Sequence, residues 1–140
     1  MEKVILESPY AGDYNVNESK GTVKINEIYG ALAMYDCMIN YDEAPFASHL
    51  LYTRKYVLRD NIPSEREIGI KAGFEWRNTA EKTVFYVDLG MTRGMVLGKK
   101  DCEEKEIPYE IRELPTDLWE KFLNSMEKEG IEVIRVKKKG

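Results

Sequence analysis

The run TVFYV, from Thr83 to Val87, carries strand-favouring side chains at every position and no charged residue. A strand with one wet face would alternate apolar and polar residues; this one does not. Such a run belongs inside a sheet covered on both faces, the situation of parallel strands joined by helices. The rest of the chain repeats the theme. KVILE stops at Ser8-Pro9, APFASHLL reads as a second short buried strand, KTVFYVD as the third, IPYEIREL as the fourth and IEVIRVK as the fifth.

Helix-length segments separate these runs. From Thr22 to Tyr41, apolar residues recur at helical spacing: Val23, Ile25, Ile28, Leu32, Met34 or Tyr35, and Met38. This predicts an amphipathic helix with one buried face. In IPSEREIGIKAGFEWRN, Ser64 followed by Glu67 has the spacing of a capping box, and Ile68, Ala72 and Trp76 form a core-facing stripe. Gly69 and Gly73 each cost about 1 kcal/mol relative to Ala inside a helix, so close packing against a neighbour is expected there. MTRGMVLGKKDCEEK predicts a short helix. A last helix starts at Pro115-Thr116-Asp117 and stops at Gly130. AGDYNVNESKG is long for a connection and reads equally as a functional lid or a surface loop; YTRKYVLRDN is loop-like. The order β-α-β-α-β-α-β-α-β defines an α/β chain: a three-layer Rossmann-like domain with a mostly parallel five-stranded sheet, in one unit over residues 1–140.

Composition narrows the functional classes. With 140 residues, 43% of them hydrophobic, the chain suits one domain with a real core. A net charge of −4 provides no footprint for a nucleic acid polymer. The basic RVKKKG at the end reads as a solvated tail. No apolar run approaches the ~20 residues that span a bilayer, and MEKVILE lacks a signal-peptide layout, so a cytoplasmic protein is expected. Cys37 and Cys102 read as buried or idle thiols. With a single His and no cysteine pair at ligand spacing, no metal site is expected.

In open parallel sheets, ligands sit outside the carboxyl ends of the strands. After the first strand come Ser8, Pro9, Tyr10, Gly12 and Asp13; after the second, Ser48, His49 and Tyr52; after the third, Asp88, Gly90, Thr92, Arg93 and Gly94. Ser64 to Glu67 occupy a helix N-terminus, where backbone N–H groups suit an anion. Each residue also has a plain structural role: His49 as a satisfied half-buried histidine, Asp88 as a turn cap, Tyr10 as a packing residue, Arg66 as the partner of a nearby acid. The glycines fit neither a P-loop nor a G-x-G-x-x-G turn.

LESPYAGD, APFASHLLYT, IPSEREIGIKAG and DLGMTRGM together resemble a group of small bacterial and phage proteins similar to the nucleoside 2-deoxyribosyltransferase-like superfamily, over about residues 3–114. The resemblance implies a Rossmann-like domain, often a homo-oligomer, holding a nucleoside or nucleotide at the strand ends. Ser8 to Tyr10 match the loop beside base and sugar; Asp88 and Thr92 to Gly94 match the loop below the ribose. The transferases place a reactive Glu four residues beyond that last glycine, and here Gly98 stands in its place. Together with the strand-end residues, the candidate ligand set is Ser8, Pro9, Tyr10, Gly12, Asp13, His49, Arg66, Asp88, Thr92, Arg93 and Gly94. The expectation is binding of a nucleoside, nucleotide or ADP-ribose-type molecule without turnover and without a cofactor. The alternative is an enzyme that cleaves or transfers an N-glycosidic bond, with Asp88 or Glu67 as relocated carboxylate. A protein-binding module is the third reading.

Overall fold

β1 (Glu2–Glu7) lies inside a sheet of order β2-β1-β3-β4, flanked by β2 (Glu43–Phe46) and β3 (Lys82–Tyr86), with β4 (Tyr109–Arg112) at the far edge. The structure is a computed structural model that describes residues 1–10 and 20–133. Every pairing is parallel: Val4 stands opposite Pro45 on one side and Lys82 on the other, and Thr83 opposite Tyr109. The helices are α1 (Lys20–Asn40), the short α2 (Ser48–Leu51), α3 (Pro63–Arg77), α4 (Arg93–Glu104) and α5 (Thr116–Lys128).

The alternation of side chains along each strand distributes the core between two faces. Val4, Leu6, Val84 and Tyr86 point to the α1 and α5 side, where they meet Tyr29, Ala33, Leu118, Phe122 and Leu123. Tyr29 packs edge-on against Phe122 at 5.5 Å between ring centres. Phe85 points the other way, into a smaller cluster with Met95 and Cys102 of α4. Thr83 to Tyr86 are all buried, as their composition requires of a strand covered on both faces. Helices on both sides of a parallel sheet give the three-layer α/β arrangement.

Several expectations are corrected. The sheet has four strands among the described residues, not five. Ile131 and Val133 lie outside any strand and pack instead against the α1–α5 core, while the rest of IEVIRVK lies outside the described residues. The second apolar run is divided: β2 ends at Phe46, and Ser48 to Leu51 turn into α2, because Leu50 and Leu51 both donate their N–H to Ala47 O. α3 starts one residue before the expected cap: Ile62 is the N-cap, Pro63 occupies the first turn, and Ser64 is exposed. Proline has no N–H to leave unsatisfied there, so it starts the helix without a side-chain cap.

The faces of two helices also differ from their apolar patterns. On α3, Ile68 and Trp76 are exposed, and the buried residues are Gly73 and Arg77. On α1, Tyr35 and Met38 are exposed, and Asn26, Tyr29, Asp36 and Cys37 are buried. Polar residues occupy these inner faces because each finds a partner: Asp36 accepts from Tyr86 Oη at 2.7 Å, and Arg77 is held by two carboxylates. The expected reason for the α3 glycines holds. A Cβ at Gly73 would sit 2.5 Å from Ser48 Oγ, and one at Gly69 would sit 3.3 Å from Leu58. The expected stop at Gly130 holds too: it takes φ +77 and follows the end of α5. Cys37 and Cys102 are buried free thiols.

Candidate functional site

The strand order reverses direction at β1, since the chain moves from β1 outward to β2 and then back across β1 to β3. A parallel sheet opens a crevice at the carboxyl ends of the strands where this happens. A cavity lies there, lined by Glu7 and Ser8 from β1, Ser48 and His49 from α2, Arg66, Ile70 and Phe74 from α3, and Thr92, Gly94 and Met95 at the start of α4. Tyr10, Tyr52, Asp60 and Glu65 also line its wall. The enclosed space measures about 100 Å³. Sites that bury a drug-sized ligand run to ~300–1,000 Å³, so the closed part suits one ring or a short polar group, with the remainder of a larger ligand at the rim.

The cavity's walls are fixed by local packing. α2 is locked to α3 by the close approach of Ser48 to Gly73 and by Trp76, whose Nε1–H donates to Tyr52 Oη at 2.7 Å. Phe46 stacks at a tilt on Trp76, with ring centres 5.1 Å apart. This brings His49 to Ser8: a hydrogen bond of 2.7 Å joins His49 Nε2 and Ser8 Oγ. Burial lowers the His49 pKa from 6.5 to about 4, so the ring is neutral at pH 7. Its Nδ1 is buried and has no hydrogen-bond partner. A Ser–His pair that works as nucleophile and base needs a third group on that nitrogen to hold and stabilise the imidazolium. Here the acid is missing and the base is weak, so the pair reads as a polar wall.

Beneath the cavity lies a buried ion network. The Arg77 side chain is 0% exposed and reaches Glu7 Oε1 at 2.7 Å and Asp101 Oδ2 at 2.9 Å. Asp101 in turn holds Lys105 at 3.1 Å. Gly98 is buried against this guanidinium: a Cβ there would stand 3.0 Å from Arg77 Nη2 and 3.5 Å from Phe85. The glycine leaves the room through which Arg77 reaches Glu7. Burial raises the Glu7 pKa, and the charge of Arg77 opposes that rise. Glu7 lines the cavity and was not among the residues collected from the sequence. The signal was available, since a charged residue closing an apolar strand at the carboxyl edge is costly to bury without a purpose.

The structure brings together Ser8, Tyr10, His49, Arg66, Thr92 and Gly94 on one cavity. Thr92 also has a structural task, because its Oγ1 accepts from Met95 N and caps α4. Pro9 is buried next to the cavity's first wall. Arg93 is exposed and is not among the lining residues. Gly12 and Asp13 lie outside the described residues. Glu67 is exposed on α3, away from the lining. Asp88 is occupied elsewhere: its Oδ2 accepts from Tyr29 Oη at 2.6 Å and from Leu114 N at 2.8 Å, and its N–H donates to Tyr29 Oη. It ties α1, the end of β3 and the lead into α5 together, and burial pushes the Tyr29 phenol strongly upward. Asp88 therefore acts as a fastening of the fold.

The fold and this site define an α/β domain with a polar, ring-sized cavity at the switch point of a parallel sheet. The chain belongs to the family described as domain of unknown function DUF7768, whose profile covers residues 2–112. No curated protein and no solved structure matches the chain. Among the described residues, no group of His, Cys, Asp and Glu could hold a metal ion, and no helix is long and apolar enough to cross a membrane.

Proposed function

We propose that the protein binds a small ring-bearing polar molecule of the nucleoside, nucleotide or ADP-ribose class at the carboxyl ends of the strands, and sequesters or senses it without turnover. The carrying observation is the convergence of Ser8, Tyr10, His49 and Arg66 on one cavity at the switch point. Tyr10, Tyr52 and Phe74 offer flat faces for a base, and Arg66 at the first turns of α3 offers a cation for a phosphate. The absence of turnover is supported by Gly98, which faces Arg77 and has no side chain to react, and by the commitment of Asp88 to Tyr29 and Leu114.

A thermal-shift screen over nucleosides, nucleotides, NAD and cyclic ADP-ribose tests this reading. A ligand at 100 times its Kd adds about 2.7 kcal/mol, and Arg66→Ala with Tyr10→Ala should reduce that gain. No stabilisation by any of these compounds sinks the proposal. A second reading rests on Glu7: a buried carboxylate at the cavity would serve a glycosidase or transferase acting on an N-glycosidic bond. Release of free base by the wild type, abolished in Glu7→Gln, would replace the binding reading with that one.

We also propose a cytoplasmic homo-oligomer. Tyr35, Met38 and Ile39 are exposed on one side of α1 at spacings of three and four residues, and a second copy would cover them. Ile39→Glu should then lower the mass seen in light scattering. A monomeric wild type excludes the oligomer.

A further inference from the structure

We infer that Glu7 reads uncharged hydroxyl groups on the ligand, and that Arg77 and Gly98 exist to position it for that purpose; the inference rests on the nucleoside-class reading above. Glu7 closes β1 and lines the cavity, with its side chain 15% exposed. Arg77 engages one oxygen, Oε1, through a single contact of 2.7 Å. Oε2 makes no hydrogen bond to any described residue, which leaves a carboxylate oxygen with open lone pairs at the wall of an otherwise confined space. This oxygen is accessible from the cavity, so a donor on the ligand can reach it.

The charges around it select the donor. Glu7, Arg77, Asp101 and Lys105 form a chain of two acids and two bases, so the network is neutral as a whole. Glu7 is therefore not the end of an acidic cluster that would trap a cation. A phosphate placed against its free oxygen would meet like charge, whereas a hydroxyl would form a charge-assisted hydrogen bond. Glu65, also on the wall, is taken up by Arg59 through its Nε and Nη2. The geometry thus orients the ligand: its hydroxyl-bearing part lies inward at Glu7, and any phosphate lies outward toward Arg66.

The test uses the full chain and isothermal titration with adenosine, guanosine, cytidine and uridine, each beside its 2′,3′-dideoxy counterpart. The wild type should bind at least one ribonucleoside about tenfold or more tighter than its dideoxy form, the effect of one hydrogen bond to a charged group. Glu7→Gln, shown folded by circular dichroism, should bring that ratio to within about threefold. If Glu7→Gln does not fold, Glu7→Asp keeps the charge and withdraws the oxygen by one methylene, and should reduce the ratio as well. A wild type that binds both forms alike overturns the inference, as does a ratio preserved in the folded variant. If no ribonucleoside binds at all, this inference is overturned, while the wider nucleotide and ADP-ribose reading stands or falls by the thermal-shift screen.

Discussion

Arg112 and Arg77 are buried on opposite faces of the sheet, and each is held by carboxylates from other elements. Arg112 places two parallel bonds of 2.7 Å on Glu43 and two more, from Nε and Nη2, on Glu110 Oε2, with Lys82 joining both acids. The Tyr41 ring covers its guanidinium at 3.6 Å. Burial raises the Glu43 pKa, but Arg112 and Lys82 outweigh that and hold the carboxylate below its ordinary range. Arg77 is more deeply buried but less complete: one bond to each of Glu7 and Asp101, and an Nε–H with no partner. The first network closes on itself and ties both sheet edges, β2 and β4, to its centre. The second opens at Glu7 onto a cavity. A closed network is an account of the fold; an open one is a candidate for work.

The comparison is tested first by removing each arginine. Arg112→Met leaves Glu43, 2% exposed, with Lys82 alone. The loss should be about 3–5 kcal/mol in urea denaturation, the range for an orphaned buried ion. Arg77→Met should cost less, because Asp101 keeps Lys105 and Glu7 borders the cavity. Equal losses would show that both networks serve stability alone.

Acid titration probes the cavity side next. His49 has a folded pKa of about 4 against 6.5 for an unperturbed group. Below pH 6.5 the unfolded chain takes up a proton that the folded chain refuses, so stability falls as pH drops from about 6.5 to 4. The full effect is about 3 kcal/mol. The difference in unfolding free energy between wild type and His49→Gln, followed from pH 7 to 4, should shrink by that amount. A constant difference would place His49 in a solvated setting and remove the polar wall.

Smaller effects come from the glycines of α4. Gly98→Ala gains helix propensity but pushes a methyl against the guanidinium of Arg77 at 3.0 Å. A net loss of about 1–2 kcal/mol is expected, since overpacking typically costs about 1–3 kcal/mol and the propensity gain returns about 1 kcal/mol. Gly94→Ala meets only Thr92 Oγ1 at 3.9 Å, and should stabilise by up to about 1 kcal/mol. A stabilised Gly98→Ala would mean that Arg77 is free to move, and the positioning of Glu7 would lose its basis.

Much of the fold was legible in the residues. The unbroken apolar character of TVFYV demanded a strand covered on both faces, and the alternation of short runs with longer periodic segments gave an α/β chain with parallel pairing. What misled was the assumption that apolar spacing marks the inner face of a helix. In α3 the inner face is Gly73 and Arg77, and in α1 it includes Asn26 and Asp36. No local pattern announces a buried polar residue, because its burial depends on a partner distant in sequence. Glu7 lies seventy residues from its partner in the chain.

The site divides the same way. Ser8, Tyr10, His49 and Arg66 could be collected from sequence, because loops after parallel strands must gather at one edge of the sheet. Their grouping on one cavity, and the exclusion of Asp88 and Glu67 from its lining, could not. Sequence alone determined the α/β class with parallel strands, since the twofold and 3.6-fold periods are properties of short segments. Only the tertiary structure decided which carboxylates line the cavity. Charges are placed by pairing across elements, and the space at Gly98 has meaning only once Arg77 fills it.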